Sequence, residues 1–286
     1  MQSHAAVLSC HGSHGSWQDS NANQLRMCYS PYSYLNASII LVGYVAQNTF
    51  LQYWYYCLKQ KEVSDWKIQP ERNRNQSGDL WFLPCLSNKP GRGLHHRILT
   101  ALNLSLAVAF AFFVSELCIN GRSKMSFAPV SGYGLHQIFT DLLIAYMYEN
   151  IAEYYWHRLL HIGPLYRSFH KVHHYYKSPE PFDDMMMHPL EALCYYCILY
   201  GPPFLFTCHV YSFAAYMTFM GLTGTLDHSG IKMNIYGIYD TRDHDKHHSH
   251  FNVNFGFPHP FLDILHGTYD GCFLGKIITP QKKKSL

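Results

Sequence analysis

The chain has 286 residues, of which 22 are Lys or Arg, 19 Asp or Glu and 20 His, for a formal net charge of +3. Charged residues make up 14% against roughly 25% in ordinary soluble domains, while hydrophobic residues reach 48% and aromatics 16%. This excludes a disordered, collagenous or coiled-coil chain, and the charge is too small and scattered for a nucleic-acid binder. Histidine is the outlier, about 7% against roughly 2% in average usage. With tyrosine it pulls the mean hydropathy to −0.14, which can conceal membrane segments.

Residues 1–33 are polar, carry His4, His11 and His14, and show no basic start followed by an apolar run. They predict a disordered lumenal tail without a cleavable leader. Residues 34–58 hold no charge until Lys59 and are long enough to span a bilayer. Residues 98–120 form a second such stretch, broken only by Glu116. A third and more polar stretch, 136–156, contains Asp141, Glu149 and Glu153. Residues 189–226 carry one charge, Glu191, and are too long for one span. Gly201, Pro202 and Pro203 break this run, which predicts a helical hairpin of two half-length or tilted helices. Nine cysteines, several in apolar runs (Cys57, Cys118, Cys194, Cys197, Cys208), are expected as buried free thiols rather than a disulfide framework.

The basic residues orient these segments. With a cytosolic C-terminus and a lumenal N-terminus, 19 of the 22 Lys and Arg fall on the cytosolic side, as the positive-inside tendency requires. Lys283 and Lys284, followed by Ser285 and Leu286, resemble the dilysine retrieval signal of endoplasmic-reticulum membrane proteins, which works only on a cytosolic tail. The expectation is an all-α integral membrane protein of four to five transmembrane or hairpin helices under a cytosolic helical cap. Its parts would be the tail 1–33, membrane helices and a cytosolic loop over 34–135, a catalytic domain over 136–275, and a basic tail over 276–286.

Fourteen of the 20 histidines lie from His157 to His266, and three clusters stand out. His157 and His161 are four apart. His170, His173 and His174 form an HxxHH, and so do His244, His247 and His248. Two HxxHH patterns by accident are improbable even at this histidine frequency. Residues three and four apart share a helix face, so each cluster can aim two imidazoles at one place, and the set can serve two metals. Imidazole suits Zn, Fe, Cu and Ni alike, and the missing thiolates argue against structural zinc. His228 and His188, where the apolar hairpin emerges, are further candidates: His228 as a ligand, His188 as a ligand or as a cap or partner of the ligands. Glu153 precedes His157 by four residues and could orient a ligating imidazole; Asp227, Asp243 and Asp245 are candidates for the same role. A metal transporter would need ionisable residues in mid-span, and the first two spans hardly have any.

These clusters, with the Tyr166–His174 text, His188-Pro189, Asp227-His228-Ser229-Gly230 and His247 to Asn252, resemble the signature of the fatty acid hydroxylase/sterol desaturase superfamily over about residues 141–269. The flanking text is closest to its sterol-type members. The resemblance implies an integral endoplasmic-reticulum enzyme with a non-haem di-iron centre that uses O₂ and external electrons. It assigns ligand roles to the eight clustered histidines and extends them to His228. The product would be a hydroxylated lipid, a sterol first, with sterol C-5 desaturation, C-4 methyl oxidation or fatty acyl hydroxylation as alternatives. Fatty acyl 2-hydroxylases carry a second HxxxH whose first histidine would fall at Gly224, and many carry a fused cytochrome b5 domain with an HPGG motif. Neither is found here, which tilts the expectation to a sterol-type member served by separate cytochrome b5 and its NAD(P)H-dependent reductase.

Overall fold

The computed structural model describes residues 29–74, 94–235 and 239–280; most of the N-terminal tail, with its three histidines, and the terminal lysines lie outside them. The chain is mostly helical. Seven α-helices of six residues or more are described: α1 (Pro31–Leu51), α2 (Leu94–Ile119), α3 (Leu135–Leu160), α4 (Pro189–Leu199), α5 (Val210–Asp227), α6 (Thr241–His250) and α7 (Phe261–His266); a π-helical segment, Gln52–Leu58, continues α1. Three two-stranded pairs of short strands accompany them.

Local signals start and stop these helices. Ser30 caps α1 by accepting from Tyr32 N, and Pro31 occupies the first turn, where a missing N–H costs nothing. Two histidines act as caps: His188 Nδ1 accepts from Leu190 N at α4, and His209 Nδ1 from Tyr211 N at α5. Asp240 caps α6 through Arg242 N. Gly267, at φ +67°, ends α7 in the left-handed conformation glycine adopts at no cost.

α1 packs along α2 and α3 along α5, with α4 against both α2 and α3. The expected hairpin is present as α4 and α5, broken at Gly201, Pro202 and Pro203. Small residues on α2 (Ala107, Ala111, Val114) admit the large rings of Tyr196 and Tyr200 from α4. Two acidic residues of α3 have partners: Asp141 accepts from Tyr133 Oη and from His209 N at the start of α5, and Glu149 from Tyr216 Oη of α5 (2.8 Å). Among the described residues one helix, His95–Ile119, is long and apolar enough to cross a membrane by length and composition. α1, α3 and the hairpin helices fall short of that measure, being more polar or shorter than the sequence pattern suggested. The thiols divide: Cys118 and Cys208 are buried as expected, Cys57 is half-buried, and Cys194 and Cys197 are exposed on α4, contrary to expectation.

The C-terminal ends of α3 and α5, the turns between α3 and α4, and α6 converge at one end of the bundle. Residues 66–74 lie across that end as a strap. Ile68 N donates to Gly230 O, Lys232 N to Trp66 O, and Gln69 Nε2 to Lys177 O.

Candidate metal centre

The structure brings nine histidines together in two groups. His157, His161, His170, His174 and His247 form the first; His173, His228, His244 and His248 form the second. Within each group the candidate ligand atoms all lie within 4.8 Å of one another. The eight clustered histidines and His228 are all there. Each HxxHH is split: His170 and His174 join the first group and His173 the second, whereas His244 and His248 join the second and His247 the first. On α6 the reason is rotational, since positions three and four residues on differ by 100° around a helix.

Backbone carbonyls set the tautomers. His157 Nδ1 donates to Phe255 O (2.9 Å), His247 Nδ1 to Val253 O (2.7 Å) and His228 Nδ1 to Gly224 O (2.8 Å). A carbonyl only accepts, so Nδ1 carries the hydrogen and Nε2 is a bare lone pair. His170 Nδ1 is bonded to the Glu191 carboxylate at 2.6 Å. The Nε2 atoms then crowd together. His174 Nε2 lies 3.0 Å from His170 Nε2 and 3.1 Å from His247 Nε2. His228 Nε2 lies 3.1 Å from His173 Nε2 and 2.9 Å from His244 Nε2, which is 3.2 Å from His248 Nε2. His174 could offer one hydrogen to its two bare neighbours, and the buried Nδ1 atoms of His173, His174 and His244 have no hydrogen-bond partner. Lone pairs facing one another without enough hydrogens suit a cation between them, so the donor set fits a metal ion in each group. Burial, followed by the neighbouring imidazoles, holds His173, His174, His244, His247 and His248 well below the usual histidine range, and burial pushes His228 down to about 4. Neutral imidazole is the form a metal needs.

The loop that supplies the carbonyls is itself held. The buried Asp263 carboxylate accepts from Phe255 N (2.9 Å), Gly256 N (2.6 Å) and Thr268 Oγ1 (2.6 Å). Asn254 bridges the same loop to Asp243 O and Asp270 O.

The other candidates lie outside the two groups. His188 caps α4 and meets the Phe169 ring edge to face. Asp227 is buried beside the Tyr239 hydroxyl. Asp243 accepts from Tyr269 Oη, and Asp245 from Gln69 Nε2. Glu153 lines the adjoining cavity with a buried, unpartnered carboxylate oxygen and orients no imidazole. Sequence reasoning missed Glu191 and Asp263 as supports. Glu191 had a signal, being the one charge in an apolar run of 38 residues; Asp263 had none.

A cavity of about 980 Å³ opens from the histidines into the bundle. His157, His170, His173, His228 and His244 form one end, and apolar side chains such as Ile40, Leu199, Phe213 and Met217 line its length.

Residues 142–268 match the fatty acid hydroxylase family. The chain is 28% identical over 170 residues to a Delta(7)-sterol 5(6)-desaturase of Gibberella zeae, covering 59% of this chain and 48% of that protein. It is 30% identical over 148 residues to a methylsterol monooxygenase of Aspergillus fumigatus, covering 48% and 49%, and 28% identical over 160 residues to a Delta(7)-sterol 5(6)-desaturase of Saccharomyces cerevisiae, covering 55% and 43%. The chain thus spans about half the length of the curated relatives it matches. No solved structure matches it. The stretch that matches the fatty acid hydroxylase family contains all nine grouped histidines together with Glu191 and Asp263.

Proposed function

We propose that this chain is a membrane-bound non-haem di-iron oxidoreductase that hydroxylates a lipid, a sterol in the first instance, using O₂ and external electrons. The observation that carries this reading is the pair of histidine groups, five and four, at the end of an apolar cavity of about 980 Å³. That volume lies at the upper end of the range for small-molecule sites and suits a large apolar substrate.

The Nε2 separations of 2.9–3.2 Å between neighbouring imidazoles are short enough for both nitrogens to reach one ion. Iron held there supplies O₂ activation toward an unactivated C–H bond, which side chains alone cannot perform. One oxygen atom enters the lipid and the other leaves as water, with two electrons and two protons consumed. The carbonyls of Phe255, Val253 and Gly224 and the carboxylate of Glu191 keep the ligating nitrogens aimed inward. The apolar wall excludes water and brings the substrate C–H bonds to the histidines.

The desaturase relatives favour a second outcome of the same chemistry, loss of a second hydrogen to leave a double bond. The electrons would come from cytochrome b5 and its NAD(P)H-dependent reductase. The location would be the endoplasmic-reticulum membrane, multi-pass with a cytosolic C-terminus. Purification from iron-replete cells tests the reading: about two irons per chain and O₂-dependent oxidation of a sterol are expected. Full zinc occupancy without iron and without lipid oxidation would overturn it.

A further inference from the structure

One face of α1, with Ile39, Ile40 and Gly43 between Asn36 and Gln47, lines the cavity. Asn36 and Gln47 are separated by about 17 Å of helix. Gln47 Nε2 donates to Leu222 O of α5 (3.2 Å), and Leu222 stands about 9 Å before His228 along that helix. α1 and α5 run in the same direction. Ser30, at the start of α1, bonds Glu116 at the end of α2, and the strand that follows α2 pairs with the one that leads into α5. Asn36 therefore sits at the end of the cavity remote from the histidines.

There Asn36 Nδ2 donates to Ser115 Oγ of α2 (2.9 Å), and Ser115 gives its hydrogen to Ala111 O (2.8 Å). Both side chains line the cavity among apolar neighbours such as Val114, Ile119 and Val210. Among the described residues the Asn36 amide oxygen has no hydrogen bond. A bond that served only to join α1 to α2 would leave that oxygen without a use in a segment where polar groups are costly. At the opposite end, Tyr44 Oη already donates to Asp184 (2.6 Å).

Building on the sterol reading above, we propose that Asn36, held in place by Ser115, binds the sterol hydroxyl, so that the substrate lies along the cavity with its polar end away from the histidines. Its apolar end is then the part oxidised. Asn36 accepts the substrate O–H, and the spare amide N–H donates back.

The test uses the full chain in lipid nanodiscs and equilibrium binding of cholesterol and of its hydroxyl-free hydrocarbon analogue. Wild type is expected to favour cholesterol by on the order of tenfold. Asn36→Leu and Ser115→Ala should each bring that ratio toward one, with iron content and affinity for the hydrocarbon unchanged, while Tyr44→Phe leaves the ratio as it was. Ser115→Ala favours helix and carries the test if Asn36→Leu fails to assemble. An unchanged ratio in the two variants, or a ratio that collapses in Tyr44→Phe, overturns the assignment, as does a product oxidised beside the hydroxyl-bearing ring. A wild-type chain that holds iron yet binds no cholesterol overturns the sterol reading itself, and this assignment with it.

Discussion

His173 and His174 are adjacent in the chain yet belong to different groups, and so do His247 and His248. Substitutions should therefore separate the two groups. His173→Ala removes one of four donors and His247→Ala one of five; each is expected to abolish turnover. Elemental analysis should find the larger loss of iron in His173→Ala, because its group has fewer donors to spare. Asp263 touches no candidate ligand, but it holds the backbone whose Phe255 carbonyl orients His157. Asp263→Ala should cost 10–100-fold in metal affinity, the usual effect of removing an outer support, measured by chelator competition. Which histidines would matter was legible, since the spacings carry that information. Which group each would join was not, because the crossed partition needs the fold of both HxxHH segments at once.

At the level of elements, two glycines near the site differ sharply. Gly230 has φ +68°, and a Cβ there would stand 2.5 Å from Pro179 O and 2.9 Å from Lys67 Nζ. Gly224 lies in α5, and its added Cβ would meet only the Phe257 ring, at 3.6 Å. Gly230→Ala should fail to assemble or lose at least about 2 kcal/mol, while Gly224→Ala should retain iron and melt within a degree or two of wild type, as thermal unfolding in detergent would show. The Gly-Pro-Pro break in the hairpin and the long helices were readable from composition. The strap was not. Residues 66–74 look like part of a basic loop, and their role exists only through hydrogen bonds to residues more than 100 positions away.

Across the whole molecule, a buried ionic network ties the strap to the turns below the histidines. Lys67 Nζ lies 3.5 Å from Glu180, Arg74 pairs with Glu180 and Asp183, and His96 of α2 bonds Asp183 at 2.9 Å. Lys67 is fully buried, and burial lowers its affinity for a proton. Lys67→Met leaves Glu180 with one cation fewer and should cost about 3 kcal/mol, read as a lowered denaturation midpoint with loss of iron from the unfolded fraction. Topology has its own test. A glycosylation acceptor added at the N-terminus should be modified, and one added at the C-terminus should not. The reverse pattern would overturn the proposed cytosolic placement of the histidines.

The linear pattern determined what is local or additive: apolar runs, the charge asymmetry between their flanks, and imidazoles recurring at three and four residues. Helical periodicity and desolvation act on neighbouring residues, so these features survive in one dimension. Tertiary structure alone decided the five-and-four partition, the carbonyls and the Glu191 carboxylate that set the imidazole tautomers, the buried network under the strap, and the cavity that runs from Asn36 to His228. Each depends on distances between segments far apart in sequence, and such distances exist only once the helices have packed.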